Sequence, residues 1–422
     1  MKSATTFLLV FLLLPTVLLA QFEQVIQGPG YASAVYVDLQ GGTSSAVSHT
    51  SWDIAFNVGG RSSGILVNEG VASSQANPLL QVELYAGSAT DFSTADTNQV
   101  VQRLYNGEGS WDDGGFNAIA DPGNPFDLGW GTYSPATQTV FGSCVFFVAT
   151  RDGAYHKVFV ESLAGGVYTF IHGPLGGSTS DTVSIDKADF VGKTLAYFSF
   201  DDGVLDLEPD NWDLLFTRYV TPLPDGEGNI LDYTVTGVLQ NKDVSVAKLS
   251  GVDPETAVAP ADEAAFSDSL ATIGYDWKSF DLSTFQWSVP DDLVYFVQTP
   301  DSLYRMQFID FEGSSTGVST FRLSTEQTTA TTTLPVGIDQ SRIYPNPAPD
   351  QVTLEVSARQ PAEDLRLEVI DPAGRTLTAS RVRALNTGLN QIDVPLTDLP
   401  AGHYFVRLSG STGVLTHHLI KQ

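Results

Sequence analysis

The chain has 422 residues and a formal net charge of −28 at pH 7, from 49 acidic side chains against 21 Lys and Arg. The excess lies in residues 21–340, which hold 12 basic and 41 acidic side chains, so no basic stripe is present to neutralise nucleic-acid phosphates. A single cysteine, Cys144, excludes an intramolecular disulfide and a cysteine-based metal site.

Residues 1–20 have the pattern of a signal peptide. Lys2 precedes an apolar run at residues 7–14, Pro15 ends that run, and Ala20 precedes a predicted cleavage site. No later run is long and apolar enough to cross a bilayer. We therefore expect an exported mature chain without a transmembrane segment.

Residues 21–325 contain two related sequences. Trp-Asp-Ile-Ala-Phe at 52–56 recurs as Trp-Asp-Leu-Leu-Phe at 212–216, and residues 145–162 align without a gap with residues 294–311. Each unit is long enough to fold as a domain, unlike a short solenoid repeat. The sequence predicts two tandem domains within five segments, which are a signal peptide at 1–20, copy 1 at 21–190, copy 2 at 191–325, a Thr-rich linker at 326–340 and a C-terminal domain at 341–422.

Period-2 alternation of apolar residues predicts strands throughout both copies, and therefore an all-β fold. Four tryptophans that recur at matching places are expected in the core, namely Trp52, Trp130, Trp212 and Trp277. Trp111, Trp287 and Tyr105 lie in unmatched or irregular stretches. These three are the better candidates for stacking on carbohydrate.

The last 82 residues read as a small Ig-like β-sandwich, because alternating strands are separated by turn sequences such as Asp-Pro-Ala-Gly at 371–374. Its landmarks, in chain order, are Tyr344, Pro345, Asn346, Pro347, Gly374, Gly402, Tyr404 and Lys421.

This series of landmarks resembles a type A sorting domain of the type IX secretion system. The resemblance implies recognition by the secretion machinery at the outer membrane and removal of the tail by a sortase-like peptidase. The mature protein would then be anchored at the cell surface or released. The alternative is a terminal β-domain with a structural role.

The body resembles a second family, the HmuY-like exported β-rich haem-binding proteins. The resemblance rests on Tyr-Phe-Ser-Phe at 197–200, Trp-Asp-x-x-Phe-x-Arg at 212–218, Gly-Tyr-x-Trp at 274–277 and Val-Tyr-Phe-Val-x-Thr at 294–299. It is closer in copy 2 than in copy 1. It implies an all-β fold and haem held by axial ligands.

The body has three histidines, and His156 and His172 are the candidate haem ligands. Their aligned residues in copy 2 are Arg305 and Leu323, so neither ligand position is repeated. The alternative is a pair of solvated strand histidines. A tyrosine ligand remains open.

Three functions are compatible with these features. We expect a binding or adhesion protein with an unknown extracellular ligand, ahead of a haem-binding protein and then of a secreted enzyme. Gly-x-Ser-x-Gly occurs at 60–64 and 313–317, but a nucleophile elbow needs a strand before it and a helix after it. Both matches are therefore interpreted as turns, and no catalytic or metal-binding residue is predicted.

Overall fold

The computed structural model describes residues 21–71, 81–326, 338–346, 348–371, 375–397, 399–410 and 413–421. The predicted signal peptide and residues 327–337 of the predicted linker lie outside that range. The chain divides into two compact units, Met1–Glu326 and Gln327–Gln422. Strands dominate both units, and the longest helical segment of the described residues is the four-residue turn Lys187–Phe190. The predicted all-β fold class is confirmed.

The strands of the first unit form the sheets on which the candidate sites lie. Their bounds are β1 (Gln21–Ile26), β2 (Ser33–Asp38), β3 (Thr43–Ser48), β4 (Ile54–Asn57), β5 (Ile65–Val67), β6 (Glu83–Gly87), β7 (Val100–Leu104), β8 (Gly131–Ser134), β9 (Thr139–Gly142), β10 (Phe146–Ala149), β11 (Tyr155–Ala164), β12 (Val167–Pro174), β13 (Asp181–Asp186), β14 (Leu195–Ser199), β15 (Gly203–Leu205), β16 (Leu214–Pro224), β17 (Ile230–Gln240), β18 (Ser245–Ser250), β19 (Ser279–Asp281), β20 (Gln286–Ser288), β21 (Leu293–Gln298), β22 (Leu303–Phe311) and β23 (Val318–Glu326). Short 3-10 turns lie at Pro29–Tyr31, Thr97–Gln99, Gly115–Asn117, Lys187–Phe190, Glu263–Ala265 and Gly313–Ser315.

Two four-stranded sheets of this unit exchange strands reciprocally. Their orders are β15-β14-β4-β5 and β17-β16-β2-β3. The second strand before each Trp-Asp motif pairs with the strand that follows the other motif: β14 pairs with β4, as in Phe198 with Ile54, and β2 pairs with β16, as in Val37 with Leu214. We call the part of the unit around each of these sheets a half. The small sheet of each half is therefore completed by two strands that lie far from its other two strands in the sequence.

The aspartate of each motif fixes this exchange with the same two hydrogen bonds. The backbone N–H of Asp53 donates to Phe198, and its Oδ2 accepts from the N–H of Phe200 at 2.9 Å. The backbone N–H of Asp213 donates to Val37, and its Oδ2 accepts from the N–H of Leu39 at 2.8 Å. Between the two sheets, the hydroxyls of Tyr36 and Tyr197 are hydrogen-bonded to each other.

Two larger sheets cover these small ones. One has the order β13-β12-β11-β10-β6-β7, with β9 paired to β11 and β8 paired to β9, and the other has the order β1-β23-β22-β21-β18. The antiparallel pairing of β1 with β23, from Gln21 opposite Leu323 to Ile26 opposite Val318, joins the two ends of the unit.

Three main groups of buried side chains follow from this arrangement. The first core contains Phe56, Trp130 and Phe170, and the second contains Phe216, Trp277, Phe308 and Phe321. A third group packs Tyr36, Trp111, Tyr197 and Trp212 between the small sheets.

Strand pairing does not follow the predicted boundary between residues 190 and 191. The first core draws its residues from the range 54–198, while the second draws on 25–39 as well as 214–321. The N-terminal strands thus pack with the second half. A division into copies by sequence order separates strands that pair with each other.

The gap-free alignment of the two copies is wrong by one residue after the hairpin turn. Ala149 pairs with Tyr155 across a five-residue turn, whereas Gln298 pairs with Leu303 across a four-residue turn. His156 consequently occupies the position of Tyr304, which is buried in the second core, and not that of Arg305.

The predictions for the tryptophans are confirmed in part. Trp130, Trp212 and Trp277 are buried as predicted, and Trp52 is half-buried. Trp111 is also buried, with its Nε1 donating to the carbonyl of Gln240 at 3.2 Å, so its assignment to carbohydrate stacking is wrong.

The second unit is a sandwich of two sheets around one core. Its described strands are β24 (Ile338–Tyr344), β25 (Gln351–Ala358), β26 (Ala362–Ile370), β27 (Thr376–Leu385), β28 (Gly388–Pro395), β29 (Gly402–Gly410) and β30 (Gly413–Lys421). They form the sheets β24-β25-β28 and β27-β26-β29-β30. The core between them includes Leu354, Leu367, Val406 and Leu415.

No helix of the described residues in either unit is long and apolar enough to span a bilayer.

Candidate functional site

The structure brings His156 and His172 together on one face of the larger sheet of the first half. Val158 pairs with His172 and His156 pairs with Pro174, so the two histidines are diagonal neighbours on adjacent strands. The ring of Phe200 stacks on His156, with centroids 4.1 Å apart, and meets His172 edge-on at 5.4 Å.

Both imidazoles are partly withdrawn from water. The Nδ1 atom of each is buried and has no hydrogen-bond partner among the described residues. Burial lowers the pKa of both rings, and the neighbouring Asp53, Asp152 and Asp201 oppose that effect at His156. Both rings are therefore neutral at pH 7. His172 is buried and does not fit the interpretation as a solvated strand histidine, whereas His156 is half-buried.

Haem ligation by two imidazoles requires the rings to face each other across the iron. Here the two rings project from the same sheet face, and Phe200 packs against both. The adjacent pocket is lined by His156, Asp53, Arg151 and Phe200, but His172 does not line it. The assignment of these histidines to haem stays a prediction.

A second candidate site lies between the two small sheets, and we name it the central cavity. The centre of a water molecule can reach about 70 Å³ of it. Its apolar walls and its polar groups come from both halves of the unit. The residues that line it include His49, Trp52, Glu69, Trp111, Leu195, Leu215, Arg218, Tyr219, Leu239 and Leu270.

Glu69 connects the halves at this cavity. Its Oε1 accepts from the backbone N–H of Asn106 at 2.8 Å, and its Oε2 accepts from the backbone N–H of Val220 at 2.9 Å. Burial raises the pKa of this carboxyl to about 7, although the two amides and Arg103 favour its charged form. Because both oxygens are engaged, Glu69 has a structural role that explains its burial.

Three other polar groups of the cavity lack partners. The Nε2 of His49, the Nε of Arg218 and the hydroxyl of Tyr219 are buried without a hydrogen bond in the described part of the chain. Burial, and then the charge of Arg218, lower the pKa of His49 to about 3, so this ring is neutral at pH 7. Unpartnered buried polar atoms are rare and call for an explanation.

The sequence does not predict this cavity. Glu69 lies far from Arg218 in the chain and belongs to no motif, and His49 is not among the predicted haem ligands. Only the reciprocal strand exchange brings the three together. A buried histidine and a buried glutamate have no local sequence signal that separates them from exposed ones.

A third candidate is the hairpin β19–β20, residues 279–288, which we name the aromatic hairpin. Phe280 and Trp287 are directly opposite each other across its strands, with ring centroids 5.0 Å apart. Phe285 contacts Phe280 at 6.4 Å, and Trp287 packs edge-on against the buried Phe311 at 4.9 Å. Phe285 and Leu282 are 73% and 78% exposed.

The landmarks of the second unit meet at one end of its sandwich. The Oδ1 of Asn346 accepts from the N–H of Ile420 at 2.8 Å, and Gly402 pairs with Lys421. The ammonium of Lys421 donates to the carbonyl of Pro349, and the hydroxyl of Tyr404 donates to Pro400 at 2.8 Å.

Tyr344 lies on the neighbouring strand, where its hydroxyl donates to Glu355 at 3.1 Å. The peptide bond between Tyr344 and Pro345 is cis. Two predicted landmarks, Pro347 and Gly374, lie outside the described residues.

Comparison with known families agrees with this tail. Residues 342–422 match the secretion system C-terminal sorting domain family. The sorting domain indicates export by the type IX secretion system and an interaction with its machinery. The protein is secreted, to the cell surface or the extracellular space.

Three solved structures share a low similarity with the chain. Dimeric latent PorU from Porphyromonas gingivalis shares 10% identity over 68% of this chain and 31% of its own, with a TM-score of 0.17. The BSP domain of a biofilm-associated protein shares 10% identity over 90% and 68%, with a TM-score of 0.16. PorZ, a surface component of the type IX secretion system of Porphyromonas gingivalis, shares 14% identity over 90% and 55%, with a TM-score of 0.15. No curated protein matches the chain.

Proposed function

We propose that the exported protein is a binding protein without catalytic activity, and that the aromatic hairpin attaches it to a neutral polysaccharide. The observation that carries the proposal is the pair of strongly exposed side chains, Phe285 and Leu282, beside a cross-strand aromatic pair. Exposed apolar groups that cluster in this way mark interaction surfaces.

A structural role accounts for only part of the hairpin. A two-stranded sheet is marginally stable, so the pair of Phe280 with Trp287 and the contact of Trp287 with Phe311 hold it in place. Phe285 and Leu282 contribute little to that packing, because most of their surface faces solvent. Their exposure is explained by contact with a partner.

A sugar fits this surface by its shape and charge. The C–H face of a pyranose ring is apolar and packs on the negative face of an aromatic ring. The hydroxyls of Ser279 and Ser288 are hydrogen-bonded to each other across the same hairpin, and a hydroxyl can both donate to and accept from a sugar hydroxyl. The strongly acidic body repels acidic polymers, which favours a neutral polysaccharide.

The central cavity supports binding over catalysis. Both oxygens of Glu69 are occupied by backbone amides, so this carboxylate is not free to act as a general base. His49 is neutral and buried, and among the described residues it has no carboxylate partner that would orient it as in a catalytic triad.

The test is retention of the purified protein on amorphous cellulose, chitin and a soluble β-glucan, with the acidic polymer alginate as a contrast. We expect retention on at least one neutral polymer, and its loss in the double variant Phe285→Ser and Leu282→Ser. The matched control is Val191→Ser, which changes another apolar side chain, 85% exposed, away from the hairpin. Absence of retention on every neutral polymer, or equal retention by the double variant, contradicts the proposal.

Haem binding is the second candidate, and one observation favours it. Two imidazoles with unpartnered Nδ1 atoms, within the described part of the chain, meet in one cluster. Haem can bind to the two imidazoles only if the ring of Phe200 moves away from them. We therefore expect Phe200→Ala to bind haem more tightly than the unmodified protein does. A saturable Soret shift on titration with haemin, lost in His156→Ala or His172→Ala, supports this candidate, and no shift in any of these proteins rejects it.

A further inference from the structure

We propose that the central cavity binds a small monocarboxylate, with the carboxylate on the guanidinium of Arg218 and the hydrocarbon part against Trp52, Trp111 and Leu270. This site shares no residue with the aromatic hairpin. A test of this site is therefore independent of a test of the proposed function.

In the part of the chain that the structure describes, Arg218 is a cation without a counter-ion. Arg218 is half-buried and has no carboxylate or hydrogen-bond partner among the described residues, and its nearest ring is that of Tyr31 at 5.8 Å. Other half-buried arginines of the unit have partners, as in the pairs Arg103 with Glu83 and Arg151 with Asp53. Burial lowers the pKa of Arg218, because a desolvated cation is costly unless an anion accompanies it.

Two further polar atoms of the cavity are also unpartnered within the described residues. The Nε2 of His49, an almost fully buried side chain at 3% exposure, and the hydroxyl of Tyr219 line the same cavity without a partner among the described residues. An oxygen of a ligand can accept from either group, which satisfies atoms that the protein leaves unsatisfied.

The cavity is large enough for a small ligand, and most of its lining is apolar. A single water needs about 10–15 Å³ of space for its centre, so the cavity has room for several waters or for a ligand of a few carbon atoms. Trp52, Trp111, Leu195, Leu215 and Leu270 form apolar walls, which favour a hydrocarbon chain over hydrated groups.

The charged residues that line the cavity favour a ligand with one carboxylate over a ligand with two. Among the described residues that line the cavity, Arg218 is the cation, while Glu69 on another wall is an acid whose pKa is about 7. A second negative charge on the ligand would meet Glu69 without a matching cation. Dicarboxylates are therefore expected to bind more weakly than monocarboxylates of similar length.

The experiment follows the tryptophan fluorescence of the full chain, to which Trp52 and Trp111 contribute, during titration with butyrate. Butyramide has the same shape without the charge, and succinate adds a second charge. We expect butyrate to bind at least about tenfold more tightly than butyramide, because charge-assisted hydrogen bonds are stronger than neutral ones. We expect it to bind more tightly than succinate as well, because the second carboxylate of succinate would meet Glu69.

Variants test the assignment to Arg218. Arg218→Met keeps an apolar chain and removes the charge, and we expect it to weaken butyrate binding by at least about tenfold. Arg218→Lys keeps the positive charge and is expected to bind butyrate more tightly than Arg218→Met but less tightly than the unmodified protein. Arg322→Met is the control, because Arg322 pairs with Glu255 and does not line the cavity.

Two results overturn the proposal. One is the absence of a saturable fluorescence change with butyrate. The other is equal affinity for butyrate and butyramide in the unmodified protein, which requires no variant and so holds even if Arg218→Met fails to fold.

Discussion

At the residue scale, His49 shows how burial turns an ordinary side chain into a pH-dependent element. Its pKa is about 3 in the folded protein, against 6.5 for an exposed histidine. Below pH 6.5 the unfolded chain takes up a proton that the folded chain does not. The free energy of unfolding therefore falls as the pH decreases from 6.5 towards 3.

This shift predicts the behaviour of His49→Gln. Each pH unit in that window costs about 1.4 kcal/mol, so acidification by about two units from pH ~6.5 is expected to remove about 2–3 kcal/mol of stability through His49. His49→Gln lacks this loss, and urea unfolding at the two pH values measures the difference between the proteins. An equal loss in both proteins contradicts the assignment.

Glu69 acts in the opposite direction over part of the same range. Its raised pKa means that its contribution is present below pH 4.5 and is lost as the pH rises through about 7. The comparison of the two proteins at each pH is needed for this reason, since the contribution of Glu69 cancels in the difference.

At the element scale, the two Trp-Asp motifs carry out the same task in each half. Each aspartate holds the turn after a strand that comes from the other part of the sequence. The repeated motif is visible in the sequence. The exchange of strands is not, because apolar periodicity defines a strand and its buried face but not its partner.

This role predicts the effect of Asp213→Ala. The N–H of Leu39 loses its acceptor, and the free energy of unfolding is expected to fall by about 1–3 kcal/mol in urea denaturation. Asp213→Asn keeps an acceptor oxygen and is expected to lose less. The control is Asp202→Ala, an exposed aspartate, and a loss no larger than that of the control would contradict the role of Asp213.

The shifted alignment of the hairpins has a similar cause. The sequence match over residues 145–162 is strong enough to hide a turn that differs by one residue. A shift of one residue moves a side chain to the other face of a strand, which is why the gap-free alignment matches His156 with Arg305 when its position in the sheet is that of Tyr304. The sorting domain is easier to predict, because its landmarks are local.

At the scale of the whole molecule, the first unit is closed by strand exchange and by the pairing of β1 with β23. The small four-stranded sheet of each half is incomplete without two strands from the other part of the sequence. Two tandem domains predicted from sequence order would unfold independently. The observed pairing instead predicts a single cooperative transition for the unit.

Tryptophan reports this transition directly, because all six tryptophans lie between residues 52 and 287. Trp130 belongs to the first core and Trp277 to the second. With 5-fluorotryptophan incorporated, we expect their native fluorine NMR signals to disappear over the same range of urea. Single Trp→Phe variants assign the signals.

Asp213→Ala makes the test sharper, because it weakens the packing around the second core. If the halves are coupled, the variant lowers the urea midpoints of Trp130 and Trp277 together. If only the midpoint of Trp277 falls, the halves unfold separately and the exchanged strands do not couple them. Trp130 and Leu39 belong to different cores. The loss of one hydrogen bond at Leu39 can therefore lower the urea midpoint of Trp130 only if the two halves unfold together.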